Sequence, residues 1–244
     1  MEIKQSTKIK FSLSTGKEIV LRSAQGVFMP NATTNLLIQA VKNTIVAPAN
    51  LLDLGCGTGV VGIALHLEDL ISAPLYASDL SGSAVLCSRK NFERYGCAAD
   101  VRGGSLFEPW FGEKFDVIVD DISGIAQSVA DVSPWFQGVP CDTGEDGADL
   151  VVEIIRNAPQ HLNDGGYFFF PVLSLSNVDK LLLVAKEKFA TVERVGRQDW
   201  PLPKELKAHT PLLQKLHDEG SIKLEERFGM ILCYTEVYCA TNPY

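Results

Sequence analysis

Strand-like and helix-like patterns of apolar residues follow one another along most of the chain. Near the N-terminus, Ile9, Phe11 and Leu13 alternate with polar residues, and a turn at 14–17 leads into the apolar stretch 18–21. This pattern is typical of a β-hairpin. From residue 51 onward, short apolar runs alternate with segments whose apolar residues are three or four apart. Such alternation predicts a parallel sheet with helices on both faces.

The same patterns predict where the elements lie. Strands are predicted at 51–53, 75–79, 98–101, 115–119, 167–170, 191–195 and 230–238. We expect Gly165-Gly166 to end the helix that begins near Leu150, and Ser176 and Thr210 to cap the last two helices. Residues 1–45 are interpreted as an N-terminal hairpin and helix extension, and residues 46–244 as the main domain.

The sharpest local feature follows the first predicted parallel strand. Asp53 ends that strand, three glycines at 55, 57 and 59 follow, and an apolar helix pattern begins at Val60. A strand, a tight turn and a helix in this order bind nucleotide-like ligands at the helix N-terminus. Glycines permit positive φ and let the backbone approach a ligand closely. Gly55, Gly57 and Gly59 are therefore candidate binding residues.

Two ligand classes and one purely structural role compete for this turn. Gly57, Gly59 and Gly62 fit the G-x-G-x-x-G pattern that binds a dinucleotide pyrophosphate. Asp53 would repel a pyrophosphate, whereas it suits a ligand that carries an amine and a sulfonium cation. The structural alternative is that the glycines only allow the helix to pack closely on the sheet. The acid favours the cationic ligand.

Further candidate residues follow the next strands, and parallel strands end at one edge of a sheet, where ligands bind. Asp79 with Leu80 follows the second strand and could bridge ribose hydroxyls, or serve only as an acid at a helix N-terminus. Ser105 with Leu106 follows the third strand, where a side chain can reach an adenine edge or simply form a turn.

Composition narrows the classes of function. Net charge is −8, which argues against nucleic acid as a partner because phosphate binding normally needs a basic surface. No apolar run approaches the roughly 18 residues that a membrane span needs, and no signal core is present. The six cysteines form no C-x-x-C pair, so we expect free thiols in a reducing cytoplasm. The four histidines show no metal-ligand spacing, and no metal site is predicted.

Several segments resemble the class I S-adenosylmethionine-dependent methyltransferases, and among them the HemK-like branch of protein-glutamine N5-methyltransferases. The similar segments are 26–30, 53–59, 79–81, 89–96, 144–150, 158–159 and 164–166. The resemblance implies a Rossmann-like α/β fold with seven strands in the order 3-2-1-4-5-7-6, the C-terminal strand being antiparallel. It implies S-adenosylmethionine as cofactor, with Phe28 covering it, Asp53 and the glycines at its methionyl end, and Asp79 and Leu80 at its ribose.

The chain departs from this family after the fourth strand. There the family has Asn-Pro-Pro-Tyr, which accepts hydrogen bonds from the amide to be methylated, whereas this chain has Asp121, Ile122, Ser123 and Gly124. Asp121 becomes a candidate base or orienting acceptor for an amine or hydroxyl, or only a cap of its loop. Ser123 is a candidate donor to a substrate carboxylate or carbonyl. The family's adenine-side Asp is likewise replaced, by Ser105.

These observations predict a cytoplasmic S-adenosylmethionine-dependent methyltransferase. We expect in-line transfer to a small-molecule acceptor, with a protein side chain less favoured, and Trp135 and Phe136 as candidate lining of the acceptor pocket. One alternative is a cyclase or lyase that releases methylthioadenosine. Another is a non-catalytic subunit that binds the cofactor, and a nicotinamide-dependent dehydrogenase is disfavoured by Asp53.

Overall fold

The computed structural model describes residues 7–133, 135 and 143–244. The strands of this part are β1 (Thr7–Ser12), β2 (Glu18–Ser23), β3 (Leu51–Leu54), β4 (Leu75–Asp79), β5 (Ala99–Gly103), β6 (Phe115–Asp120), β7 (Leu162–Leu173), β8 (Phe189–Pro201), β9 (Glu225–Arg227) and β10 (Met230–Pro243). Its α-helices are α1 (Ala32–Thr44), α2 (Val60–His66), α3 (Gly82–Arg94), α4 (Gln127–Ala130), α5 (Asp149–Asn157), α6 (Val178–Lys188), α7 (Lys204–Lys207) and α8 (Thr210–Asp218).

The main sheet has the strand order β5-β4-β3-β6-β7-β10-β8, with β9 paired to β10. Counted from β3 as the first strand, this is 3-2-1-4-5-7-6, so the predicted topology is confirmed. Strands β3 to β7 pair in parallel, and β10 is antiparallel to β8. The predicted N-terminal hairpin is also present as the antiparallel pair β1 and β2.

The described residues form two compact units. The first takes up the chain to Asp121 together with Gln160–Phe170, and the second takes up the rest. In the first unit the central strands β3 and β6 read as near-continuous apolar runs because helices cover both faces of a parallel sheet. Leu52 and Ile118, which are paired in register, are both fully buried. The predicted boundary after residue 45 remains a prediction.

The second unit combines the long antiparallel pair β8 and β10 with the remaining helices. Leu206 of α7 and Leu213 of α8 are fully buried in one apolar cluster with Ile125 and Val129. On the sheet, the buried Glu236 accepts hydrogen bonds from Arg194, from Arg197 at 3.0 Å and from Tyr238 at 2.7 Å. A buried carboxylate is tolerated here because cations and a hydroxyl surround it.

Three predicted helix boundaries are wrong in detail. Helix α5 ends at Asn157 and not at Gly165-Gly166. A 3-10 turn at Ala158–His161 follows it, and Pro159 in that turn has no N–H to continue the α-helical hydrogen bonds. Asn177 caps α6, and its side chain accepts from the Lys180 N–H at 3.1 Å. The hydroxyl groups of Ser176 and Thr210 instead donate to the carbonyl groups of Leu173 and Lys207.

Within the described ranges, the helices lack the combination of length and apolar character that a membrane-spanning helix requires.

Candidate functional site

The glycine turn joins β3 to α2, and Asp53 lies fully buried at its start. One carboxylate oxygen of Asp53, Oδ2, accepts a hydrogen bond from the N–H of Gly62 in the first turn of α2 at 3.1 Å. Its other oxygen, Oδ1, is buried and has no hydrogen-bond partner among the described residues. Asp53 thus stabilises the helix start with one oxygen, and the second remains available as an acceptor.

The glycines of the turn divide into two roles. A Cβ on Gly59 would lie 2.7 Å from Cζ of Phe92 on α3, and one on Gly62 would lie 2.4 Å from Cδ2 of Leu75 on β4. These two positions require glycine because the start of α2 approaches α3 at Gly59 and β4 at Gly62 closely. A Cβ on Gly57 would meet only the carbonyl oxygen of Phe28, at 3.9 Å, so this position borders open space.

Asp79 holds the turn as well as the next helix. Its Oδ2 accepts from the N–H of Gly57 at 2.9 Å, and its Oδ1 accepts from the N–H of Ser81, the residue that caps α3, at 2.8 Å. Asp79 therefore lies at the N-terminus of α3, which is the alternative role considered for it, and its role at a ribose stays a prediction. A carboxylate has about four acceptor positions, so these two bonds leave capacity for ligand hydroxyls.

The remaining predicted cofactor residues are Phe28, Leu80, Ser105 and Leu106, and the last three closely follow strand ends in the sequence. Leu80 is 77% exposed next to Asp79, and Phe28 is 37% exposed. Ser105 and Leu106 follow β5 and are half-buried. Leu106 has a φ of +45°, an unusual conformation for a residue with a side chain.

Asp121 contacts a residue that the sequence patterns did not single out. The hydroxyl of Thr34 donates to Oδ2 of Asp121 at 2.8 Å and accepts from the N–H of Asn31 at 3.3 Å. Thr34 is buried in the first turn of α1, where it completes a capping box with Asn31. The three-residue spacing of two short polar residues before an apolar helix is the signal that could have identified Thr34.

Three carboxyl groups in this unit are shifted toward the neutral form. Burial, together with the charges of Asp121 and Asp79, raises the pKa of Asp53 to about 7. The hydrogen bond from the Gly62 N–H acts in the opposite direction and lowers this pKa. Burial raises the pKa of Asp121 to about 7, although the Thr34 bond opposes the shift. Burial also raises the pKa of Asp79. No lysine, arginine or histidine of the described residues contributes to these three shifts, so the cluster lacks a compensating cation.

These features fit S-adenosylmethionine. The unpartnered Oδ1 of Asp53 can accept from an ammonium group, and the buried hydroxyl of Thr58, also without a partner among the described residues, can donate to a carboxylate. The open space at Gly57 admits a ligand next to the backbone. A pyrophosphate would instead meet an acidic cluster, which disfavours the dinucleotide interpretation.

Two predicted acceptor-side features lie in the second unit. Ser123 is half-buried two residues beyond Asp121. Trp135 is 42% exposed, and its backbone N–H donates to the hydroxyl of Ser133 at 3.0 Å. Phe136 lies outside the described residues, so its predicted role in lining an acceptor pocket stays a prediction.

Replacing Thr34 with valine is expected to raise the pKa of Asp121 further. Valine has nearly the shape of threonine but no hydroxyl, so the carboxylate form of Asp121 loses its hydrogen bond. A hydrogen bond to a charged group contributes roughly 1.5–3 kcal/mol, which corresponds to about one or two pKa units. Carboxyl carbon chemical shifts followed by NMR across a pH titration measure the change. Thr34→Ser keeps a hydroxyl, so the pKa of Asp121 in this variant should stay near that of the unmodified protein. An unchanged pKa of Asp121 in Thr34→Val would contradict the assigned hydrogen bond.

Comparison with known proteins finds similarity to methyltransferases. The methyltransferase small domain model matches residues 18–121, which is less than half of the chain. The release factor glutamine methyltransferase of Geobacter sulfurreducens is 30% identical over 149 residues, which cover 58% of this chain and 51% of that protein. The enzyme of the same name from Gloeobacter violaceus is 26% identical over 81% of this chain and 72% of its own length. The chain thus spans about half the length of the first of these relatives.

A solved structure supports the fold. The 16S rRNA N2 G1207 methyltransferase of T. thermophilus, in complex with AdoMet and guanosine, superposes with a TM-score of 0.64 at 18% identity, covering 98% of this chain and 51% of that one. At this identity the similarity shows the fold alone. The resemblance to the HemK-like branch is confirmed by the named relatives. Residues 18–121 therefore resemble a methyltransferase small domain, and both named relatives are methyltransferases.

Proposed function

We propose that this protein transfers a methyl group from S-adenosylmethionine to a small molecule with an amine or hydroxyl acceptor. The observation that carries the proposal is Asp53, a fully buried carboxylate with one oxygen unpartnered and no cation nearby, in a turn that is open at Gly57. A buried charge of this kind costs stability unless a ligand compensates it. The ammonium and sulfonium groups of the cofactor supply that compensation.

In this proposal each strand end has one task. Asp53 and the turn from Gly55 to Gly59 hold the methionyl part, with Thr58 as a donor to its carboxylate. Asp79 accepts from the ribose hydroxyls, since its backbone bonds leave acceptor positions free. Phe28 and Leu80 cover the nucleoside with exposed apolar surface, and Ser105 with Leu106 borders the adenine.

Asp121 acts on the acceptor. When bound, the cofactor supplies an electrophilic methyl group, so what remains for the protein is alignment and removal of a proton. The Thr34 hydroxyl engages Oδ2 of Asp121, which leaves Oδ1 to accept a hydrogen from an amine or hydroxyl. A pKa of about 7 allows Asp121 to take that proton near neutral pH. Ser123 stays a predicted donor to a carboxylate or carbonyl of an acceptor.

The acceptor class follows from what replaces the family motif. Neither proline nor tyrosine of Asn-Pro-Pro-Tyr is present at 121–124, so the planar clamp for a glutamine amide is missing. The net charge of −8 disfavours RNA. A protein side chain is the second candidate, because the named relatives are release factor glutamine methyltransferases.

The five described cysteines are all free and buried, which supports a cytoplasmic setting.

Incubation with methyl-labelled S-adenosylmethionine tests the proposal. One set of reactions contains pools of small amines and alcohols, and another contains a glutamine-bearing release factor. S-adenosylhomocysteine formed only with the small-molecule pools supports the proposal, and formation with the release factor favours the second candidate. Methylthioadenosine formed without any acceptor would show a cyclase or lyase. A stable complex with another chain and no turnover would favour a cofactor-binding subunit.

Replacing Asp121 with asparagine is expected to lower kcat with the identified acceptor by about 10²–10⁴-fold, the usual contribution of a general base. Asparagine keeps the size of the side chain and can still accept from Thr34, but it cannot take a proton. Affinity for S-adenosylhomocysteine, measured by calorimetry, should remain within a small factor of the original. Full activity of Asp121→Asn would show that the residue only orients the acceptor or caps its loop.

A further inference from the structure

The N-terminal hairpin is attached to α3 through side chains and not through a further strand. Strand β2 pairs with β1 along one edge. Along its other edge, the N–H of Val20 donates to the hydroxyl of Tyr95 at 2.7 Å, and the N–H of Arg22 donates to Oδ1 of Asn91 at 2.8 Å. Residues four apart in a helical segment lie on one face, so Asn91 and Tyr95 together follow the two-residue repeat of the strand.

Asn91 makes one contact that Tyr95 does not. Its Nδ2 donates to the carbonyl oxygen of Arg22 at 2.9 Å and also to the carbonyl oxygen of Thr58 at 2.9 Å. Thr58 lies in the glycine turn between Gly57 and Gly59. The side chain of Asn91 is fully buried and has one acceptor and two donors engaged, so it has few other arrangements available.

The chain between the hairpin and α1 is held by the same helix. Val27 is 5% exposed and packs against Ala84 and Cys87 of α3. The next residue, Phe28, places its carbonyl oxygen 3.9 Å from where a Cβ on Gly57 would lie. Helix α3 therefore positions both the segment over the turn and, through Asn91, the turn itself.

We propose that Asn91 is a positioning residue for cofactor binding. Through its bonds to Arg22 and Thr58 it couples the β1–β2 hairpin to the glycine turn. It thereby holds the turn in its binding conformation before a ligand is present. The inference rests on the proposed function, in which the turn binds S-adenosylmethionine. The hydrogen bond to the Thr58 carbonyl holds the peptide plane between Thr58 and Gly59 in place, so less conformational entropy is lost when the turn binds a ligand.

The matched comparison is Asn91→Ala against Tyr95→Phe. Both variants remove side-chain bonds to the outer edge of β2, and both should lower the unfolding temperature. Only Asn91→Ala removes a bond to the turn. The experiment measures hydrogen exchange of the peptide that contains residues 55–60 in the ligand-free proteins. Exchange should be about tenfold faster in Asn91→Ala, which corresponds to one lost hydrogen bond. It should be unchanged in Tyr95→Phe. Affinity for S-adenosylhomocysteine should fall by about the same factor in Asn91→Ala alone.

Equal changes in the two variants, or no change in either, would overturn the inference. If Asn91→Ala does not fold, Asn91→Ser, which replaces the amide with a single shorter hydroxyl, takes its place in the same comparison. Failure of the unmodified protein to bind S-adenosylhomocysteine would refute the proposed function. In that case the rate of amide hydrogen exchange in residues 55–60 would still show whether Asn91 fixes the conformation of the turn.

Discussion

Asparagine in place of Asp53 is expected to weaken the binding of S-adenosylhomocysteine by about 10- to 100-fold. The asparagine oxygen can still accept from Gly62, so the start of α2 is preserved. What is lost is the negative charge opposite the ligand ammonium, and a hydrogen bond to a charged group contributes roughly 1.5–3 kcal/mol. Titration calorimetry at pH 8, where Asp53 is ionised, measures the loss.

The same substitution should stabilise the ligand-free protein at neutral and higher pH. The folded-state pKa of about 7 lies above the ordinary value of 3.8, so the folded protein binds more protons between these values than the unfolded chain does. The unmodified protein therefore loses stability as the pH rises from about 4 to 7, and Asp53→Asn removes the part due to this residue. Affinity for the ligand should rise over the upper part of the same window, because the carboxylate is the binding form.

A surface acid provides the control for the change in net charge. Asp164→Asn alters an exposed residue of the same unit, and it should change neither the affinity nor the pH dependence of unfolding. An Asp53→Asn protein that binds S-adenosylhomocysteine as tightly as the unmodified one would show that Asp53 serves only the helix.

Alanine at Gly57 and alanine at Gly59 are expected to fail in different ways. At Gly59 a Cβ meets Phe92 at 2.7 Å in a backbone with φ of +78°. The conformation costs about 1–2 kcal/mol and the overpacking about 1–3 kcal/mol, so unfolding in urea should show a loss of roughly 2–5 kcal/mol. At Gly57, with φ of +53°, the contact is absent and only the conformational cost of about 1–2 kcal/mol applies.

Binding should show the opposite order. A methyl group on Gly57 points into the space that the ligand is proposed to use, so Gly57→Ala should lose S-adenosylhomocysteine affinity out of proportion to its stability. Gly16→Ala is the matched control, since Gly16 has φ of +82° and nothing within 4 Å of a Cβ. It should show the conformational cost and no binding defect. Equal binding losses at 57 and 16, relative to stability, would mean that the turn does not border the ligand.

The sequence patterns predicted the parallel strands and the turn because both depend on local signals, whereas the strand order was implied by the family resemblance. Buried parallel strands require apolar runs, and the segment from Asp53 to Val60 carries its own turn chemistry. The patterns also left open whether the glycines served packing or ligand approach. The structure divides them, since Gly59 and Gly62 are fixed by neighbouring side chains whereas Gly57 borders open space.

Contacts between distant segments could not be predicted in this way. The bond from Thr34 to Asp121 joins residues 87 positions apart, and that from Asn91 to Thr58 joins residues 33 apart. In neither pair does the separation along the sequence indicate that the two residues are in contact. Two helix starts were missed for a local reason, because several polar residues near 176 and 210 could serve as caps. Asn177 caps α6, whereas at the start of α8 His209 makes no side-chain bond to the helix.

Titration of the unmodified protein with S-adenosylhomocysteine, and in parallel with NAD, asks most directly what the acidic glycine turn binds. We expect saturable micromolar binding of S-adenosylhomocysteine that strengthens as the pH rises through 7, and no saturation with NAD. Absence of S-adenosylhomocysteine binding at millimolar concentration, or tighter binding of NAD, would contradict the assignment of this turn to a cationic sulfur nucleoside.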